Sequence, residues 1–173
     1  PGRVEHQEFE YIRHGTRTLI GGFHVAAGEV FADIGQTRTE EDFARFIEWV
    51  IEHNPDYRSY HFVLDQLNTH KSETLVRTTA RLCALDIDLG VKGETGILRS
   101  METREAFLSR PDKAIVFHYT PKHASWMNQI EIWFGILAKK VVKRGHFRSK
   151  EELRDKLMAF IDYFNATMAK PFK

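Results

Sequence analysis

Cysteine is almost absent from this chain. Cys83 is the sole example, which excludes an internal disulfide and a cysteine-rich zinc site. Its setting reads as a buried helix position. Long apolar runs are missing as well, so no stretch can cross a bilayer as a helix. The opening Pro1-Gly2-Arg3-Val4-Glu5-His6 has no apolar signal-peptide core. Internal repeats and low-complexity tracts are lacking. These absences suit a cytoplasmic protein with no membrane partner. What is present is a chain of 173 residues, 42% hydrophobic. That length fits one domain spanning residues 1–173, and that composition supports one core rather than disorder.

Net charge is only +1, but it is unevenly spread. Between Lys122 and Lys156 nine Lys/Arg face four acids. The rest of the chain is net acidic. Such a basic stretch is either a phosphate-facing patch or a solvated helix face.

The pattern of elements is α/β. Thr18 to Val25 and Glu29 to Ile34 read as a hairpin around Ala27-Gly28. Thr39 caps a helix with Phe43, Phe46, Ile47 and Val50 at helical spacing, ended by Asn54-Pro55. His61-Phe62-Val63-Leu64 is a short apolar run of the kind buried on both faces of a sheet. Ser72 caps a further helix. Asp86 to Arg99 is polar and glycine-bearing, an insertion loop, followed by a short helix over Glu102 to Leu108. Ala114 to Tyr119 is another strand. A long helix is expected from Ser125 to Val142, its apolar stripe formed by Trp126, Ile130, Trp133, Phe134, Leu137 and Val141. Trp126 and Trp133 are assigned to the core rather than to base stacking. Ser149-Lys150-Glu151-Glu152 has a capping-box pattern and opens the last helix.

Two carboxylates stand out. Asp65 lies at the C-terminal end of a buried strand, where α/β sheets place ligands. Taken alone it also reads as a helix-capping aspartate. Glu131 sits at the edge of an apolar helical stripe, with Asn128 and Gly135 on roughly the same side. Taken alone it also reads as an exposed glutamate paired with a lysine.

The two segments together carry a resemblance. His61-Phe62-Val63-Leu64-Asp65-Gln66-Leu67-Asn68-Thr69-His70-Lys71 resembles the second-aspartate motif of mariner-like bacterial insertion-sequence transposases, which are DDE superfamily endonucleases. Tyr119-Thr120-Pro121-Lys122-His123-Ala124-Ser125-Trp126-Met127-Asn128-Gln129-Ile130-Glu131-Ile132-Trp133-Phe134 resembles their glutamate motif. The tail from Phe160 to Lys173 is similar to their closing segment. The separation of Asp65 from Glu131 is longer than is usual for the family, and the extra length falls between Asp86 and Leu108.

The resemblance implies a ribonuclease-H-like mixed sheet flanked by helices. It implies Asp65 and Glu131 as catalytic, metal-holding carboxylates for Mg²⁺ or Mn²⁺. Hard divalent cations prefer oxygen ligands, and two of them about 3.5–4 Å apart suit in-line phosphoryl displacement. Asn68, His70 and Asn128 are implied as supporting residues, with Asn68 and His70 orienting Asp65 or a metal-bound water. Lys122, His123, Lys139, Lys140, Lys143, Arg144 and Arg148 are implied as DNA contacts. His118 is a further phosphate contact or a structural residue. The implied partners are DNA (transposon ends and target) and a second copy of the chain, and the implied location is the bacterial cytoplasm, associated with the nucleoid. A zinc site of His61, His70, His118 and His123 lacks a recognised spacing.

In the resembling proteins the first aspartate stands on a strand upstream of the segment matched by Pro1-Gly2-Arg3. The expectation is therefore a domain lacking its first strand, with two of three carboxylates and unpaired edges at Thr18–Val25 and His61–Asp65. Asp33 does not match the missing motif. Three functions follow: a transposase catalytic fragment, a non-catalytic DNA-binding or dimerisation remnant, or a ribonuclease-H-like nuclease.

Overall fold

A computed structural model of the chain describes residues 15–121, 128–143 and 145–171. Strands β1 (Thr18–His24) and β2 (Glu29–Gly35) form an antiparallel hairpin, paired from Thr18↔Gly35 to His24↔Glu29. Gly28 closes the turn at φ +77°, and a Cβ there would overlap the Lys170 carbonyl oxygen. Only glycine meets both demands.

Helix α1 (Glu40–Glu52) follows, with Thr39 and Asp42 forming a reciprocal capping box. Strands β3 (Tyr60–Leu64) and β4 (Ile115–Tyr119) pair in parallel from Tyr60↔Ile115 to Leu64↔Tyr119. Between them run a 3-10 turn at Asn68–Lys71, α2 (Glu73–Leu82) and α3 (Met101–Leu108). The crossover is long, as a parallel pair requires. Buried Lys113 ends it, donating from Nζ to the carbonyls of Phe107 at 2.7 Å and Arg110 at 2.8 Å. That contact ties the end of α3 to the start of β4. Helix α4 (Gln129–Leu137) then passes into a π turn at Ala138–Val142, and α5 (Lys150–Thr167) closes the chain.

Two cores result. Phe43, Phe46, Ile47, Leu64, Leu75, Val76, Leu98, Leu108, Ile115 and Phe117 form the first, uniting α1, α2, α3 and the β3–β4 pair. Ile20 and Phe31 of the hairpin pack against it. Val30, Ile130, Trp133, Leu137, Leu157, Ile161 and Phe164 form the second, on the other face of the hairpin. The alternation along β1 and β2 sends one set of side chains to each core. Asn165 of α5 joins the second core to the sheet: its amide accepts from Val30 N–H and donates to Val30 C=O, both at 2.9 Å.

The expected α/β architecture is present as small sheets flanked by helices. The single mixed sheet is not: among the described residues there are two separate two-stranded sheets. β3 is also not buried on both faces. Tyr60, Phe62 and Leu64 point to the first core, whereas His61 is exposed and Val63 is 54% exposed. The helix expected over Ser125–Val142 is α-helical only from Gln129 to Leu137 among the described residues, because its end takes the wider π turn. Cys83 is half-buried rather than buried, since it caps the exposed end of α2. At α5, Ser149 Oγ accepts from Glu152 N–H at 3.1 Å, but the Glu152 carboxylate turns to Arg148 N–H at 2.7 Å. Half of the expected box forms.

Candidate active site

Asp65 follows β3 directly, in the loop that leads to the 3-10 turn. Its Oδ1 accepts from Leu67 N–H at 3.1 Å, an Asx turn in which the side chain replaces a backbone acceptor. The same Oδ1 lies 2.8 Å from His70 Nδ1. Asp65 therefore does not cap α2; Ser72 does, through Leu75 N–H at 3.1 Å. Oδ2 of Asp65 makes no hydrogen bond among the described residues, and the side chain is 39% exposed.

His70 is set by its surroundings. Its ring packs on Phe43, with centroids 4.2 Å apart. Burial pushes its pKa below 6.5, and the Asp65 carboxylate opposes that shift without cancelling it. The ring is thus neutral near pH 7. The contact with Asp65 places its one proton on Nδ1, so His70 donates to the carboxylate.

Three residues that sequence reasoning left unassigned hold this loop. Tyr119 Oη donates to His70 C=O at 2.7 Å. Gln66 Nε2 donates to Thr120 C=O at 2.6 Å. Buried Lys71 donates to Gln66 Oε1, pairs with Glu105 and lies over the Tyr119 ring at 4.9 Å. These bonds fasten the Asp65 loop to the end of β4 and to α3. Gln66 and Lys71 were visible as polar loop residues, but their partners stand far along the chain and left no local signal.

The other expected residues fall as follows. Glu131 lies in the first turn of α4, half-buried, with no ion pair among the described residues. A first-turn acid is also favoured there by the helix dipole. Asn128 is the N-cap of α4, with its carbonyl accepting from Glu131 N–H at 3.0 Å but no capping bond from its side chain. Asn68 is exposed and makes no side-chain contact with Asp65, so the orienting group is His70. Lys139, Lys140, Lys143 and Arg148 are exposed. Of the acids of α5, Glu151 pairs with Arg17, Asp155 with Arg154, and Glu152 with Lys156 and the Arg148 N–H. Lys122, His123, Trp126 and Arg144 lie outside the described residues. Trp133 is a core residue, 2% exposed.

Asp65 thus stands at the end of β3, beside the first core, and Glu131 at the head of α4, which packs into the second. A family model described as DDE superfamily endonuclease matches residues 1–154. The chain belongs to this family. No curated protein and no solved structure matches it. Membership implies a nuclease acting on DNA, in a family that generally works with divalent metal ions.

The donor set tests the metal only in part. Asp65 and Glu131 offer carboxylate oxygens, which hard divalent cations take. Among the described residues no three His, Cys, Asp or Glu side chains gather as a metal group. Of the four histidines considered for zinc, His123 lies outside the described residues. His61 Nδ1 and His118 Nε2 meet at 3.0 Å on the open side of β3–β4, while His70 is engaged by Asp65. No described helix is long and apolar enough to cross a membrane.

Proposed function

We propose that this DDE superfamily endonuclease domain is the catalytic domain of a transposase, cutting DNA at an element end and joining the freed end to target DNA. In this reading Asp65 and Glu131 are two of the carboxylates that hold Mg²⁺ or Mn²⁺. The metal, when bound, supplies the charge that stabilises the attacking and leaving oxygens of the displacement. The chain's own residues do the rest. His70 and Leu67 N–H fix one oxygen of Asp65 and leave the other open. Lys139, Lys140, Lys143 and Arg148 meet phosphates, a contact that gives affinity without sequence information.

The observation that carries the reading is the held orientation of Asp65. A carboxylate at the end of a parallel strand, bonded by a neutral histidine and a backbone N–H through the same oxygen, is held in the way that outer support holds a metal ligand, and this supports the reading. A ribonuclease-H-like sheet fits the same reading.

A second reading rests on a different observation. Exposed Lys139, Lys140, Lys143 and Arg148 can meet DNA phosphates whether or not a metal is held, which supports a DNA-binding remnant without cleavage.

Mn²⁺ titration calorimetry and supercoiled-plasmid nicking separate the two. The catalytic reading expects Mn²⁺ binding that Asp65→Ala and Glu131→Ala both abolish, and nicking that needs the metal. Salt-sensitive DNA binding with neither property overturns it in favour of the remnant.

A further inference from the structure

The end of α4 changes its winding where its lysines begin. Lys143 N–H bonds to Ala138 C=O at 2.8 Å, a five-residue step that defines the π turn at Ala138–Val142. Such turns are uncommon and recur at functional sites. Here the change of winding has a geometric result.

Glu131, Gly135, Lys139 and Lys143 follow one another every four residues. A regular α-helix advances about 100° per residue, so each four-residue step overshoots a full turn by about 40°. Over three steps Lys143 would stand about 120° round from Glu131. The π turn takes more residues to close, so steps through it fall back instead of running on. The turn begins only at Ala138, so Lys139 keeps about the offset of Gly135, and the step from Lys139 to Lys143, which runs through the turn, falls back to the line of Glu131. Lys140, one position further on, falls to the side.

The surface along that line is open. Gly135, Lys139 and Lys143 are exposed, and Ile130, Trp133 and Leu137 bury the opposite side. A Cβ on Gly135 would meet nothing within 4 Å. Neither lysine has an acidic partner among the described residues.

We infer that the π turn is a register device: it keeps Lys139 and Lys143 on the Glu131 face of α4, so that the phosphates of one DNA strand bind along this face and lead to the carboxylate. The inference rests on the DNA-cutting reading above. It sorts the basic residues, with Lys139 and Lys143 on the track and Lys140 beside it.

The test is fluorescence anisotropy of a labelled DNA duplex over a salt series, with chelator present so that no cutting occurs. Lys139→Gln and Lys143→Gln are each expected to weaken binding several-fold and to reduce the salt slope by about one. Lys140→Gln is expected to lower it by less than half as much. All three are exposed positions, and thermal melts check that each variant is folded. If the parent binds and Lys140→Gln loses as much as Lys143→Gln, the register inference fails while the DNA reading stands. If the parent shows no salt-sensitive binding, the DNA reading fails and takes the inference with it.

Discussion

Replacing His70 by phenylalanine keeps a ring against Phe43 and removes the donor to Asp65. The lost bond is charge-assisted and 2.8 Å long, a class that contributes about 1.5–3 kcal/mol. Asp65 is 39% exposed, so water recovers part of that, and Leu67 N–H stays in place. The expected cost near pH 8 is therefore about 1 kcal/mol, a fall of about 2–4 °C in Tm for a chain of this size. The pH dependence is the sharper test. Burial holds the folded pKa of His70 below 6.5, so the unfolded chain takes up the proton first. The parent keeps the full contribution above pH 6.5 and loses it as pH falls through that value towards the folded pKa. His70→Phe has no such loss, so the gap between the two proteins narrows from pH 8 to pH 5. His70→Asn, which restores a donor near the Nδ1 position but not the ring, separates bond from packing. In the catalytic reading His70→Phe also weakens Mn²⁺ binding about 10–100-fold, and His70→Asn recovers part of it. Urea unfolding across pH, with Mn²⁺ calorimetry beside it, provides the measurement. A gap that stays constant or widens as pH falls would refute a neutral, Asp65-bonded His70.

Two further outcomes are expected. Gly135→Ala adds a methyl group in open space on a helix, so thermal unfolding should show a gain of about 1 kcal/mol; duplex anisotropy should show weaker DNA binding if phosphates run along that face. Asn165→Ala removes both bonds to Val30 and should cost about 2 kcal/mol in urea unfolding, with hydrogen exchange at Val30 N–H accelerated; an unchanged exchange rate would show that the β2 edge is protected by other means.

Much of the local structure was legible because it is decided by neighbours in the chain. Thr39, Ser72 and Ser149 cap helices as their types predict, and Phe43, Phe46, Ile47 and Val50 reach the core because their spacing matches one helix turn. Other expectations failed where distant packing decides. An apolar run such as His61–Leu64 has the same pattern whether one or both faces are covered. The end of α4 reads Ala138-Lys139-Lys140-Val141-Val142, and nothing in that local pattern distinguishes an i→i+5 turn from an i→i+4 one.

The sequence alone singled out Asp65 and Glu131, through motifs that resemble those of the family, and it determined the basic character of the end of α4, which rests on residue identity. Only the tertiary structure decided that His70, and not Asn68, bonds Asp65, because that choice depends on the 3-10 turn and on the Phe43 ring from another helix. Likewise it decided that Tyr119, Thr120 and Glu105 clamp the Asp65 loop. Those partners are brought together by the parallel pairing of β3 with β4, a contact between segments too far apart in the chain for any local pattern to record.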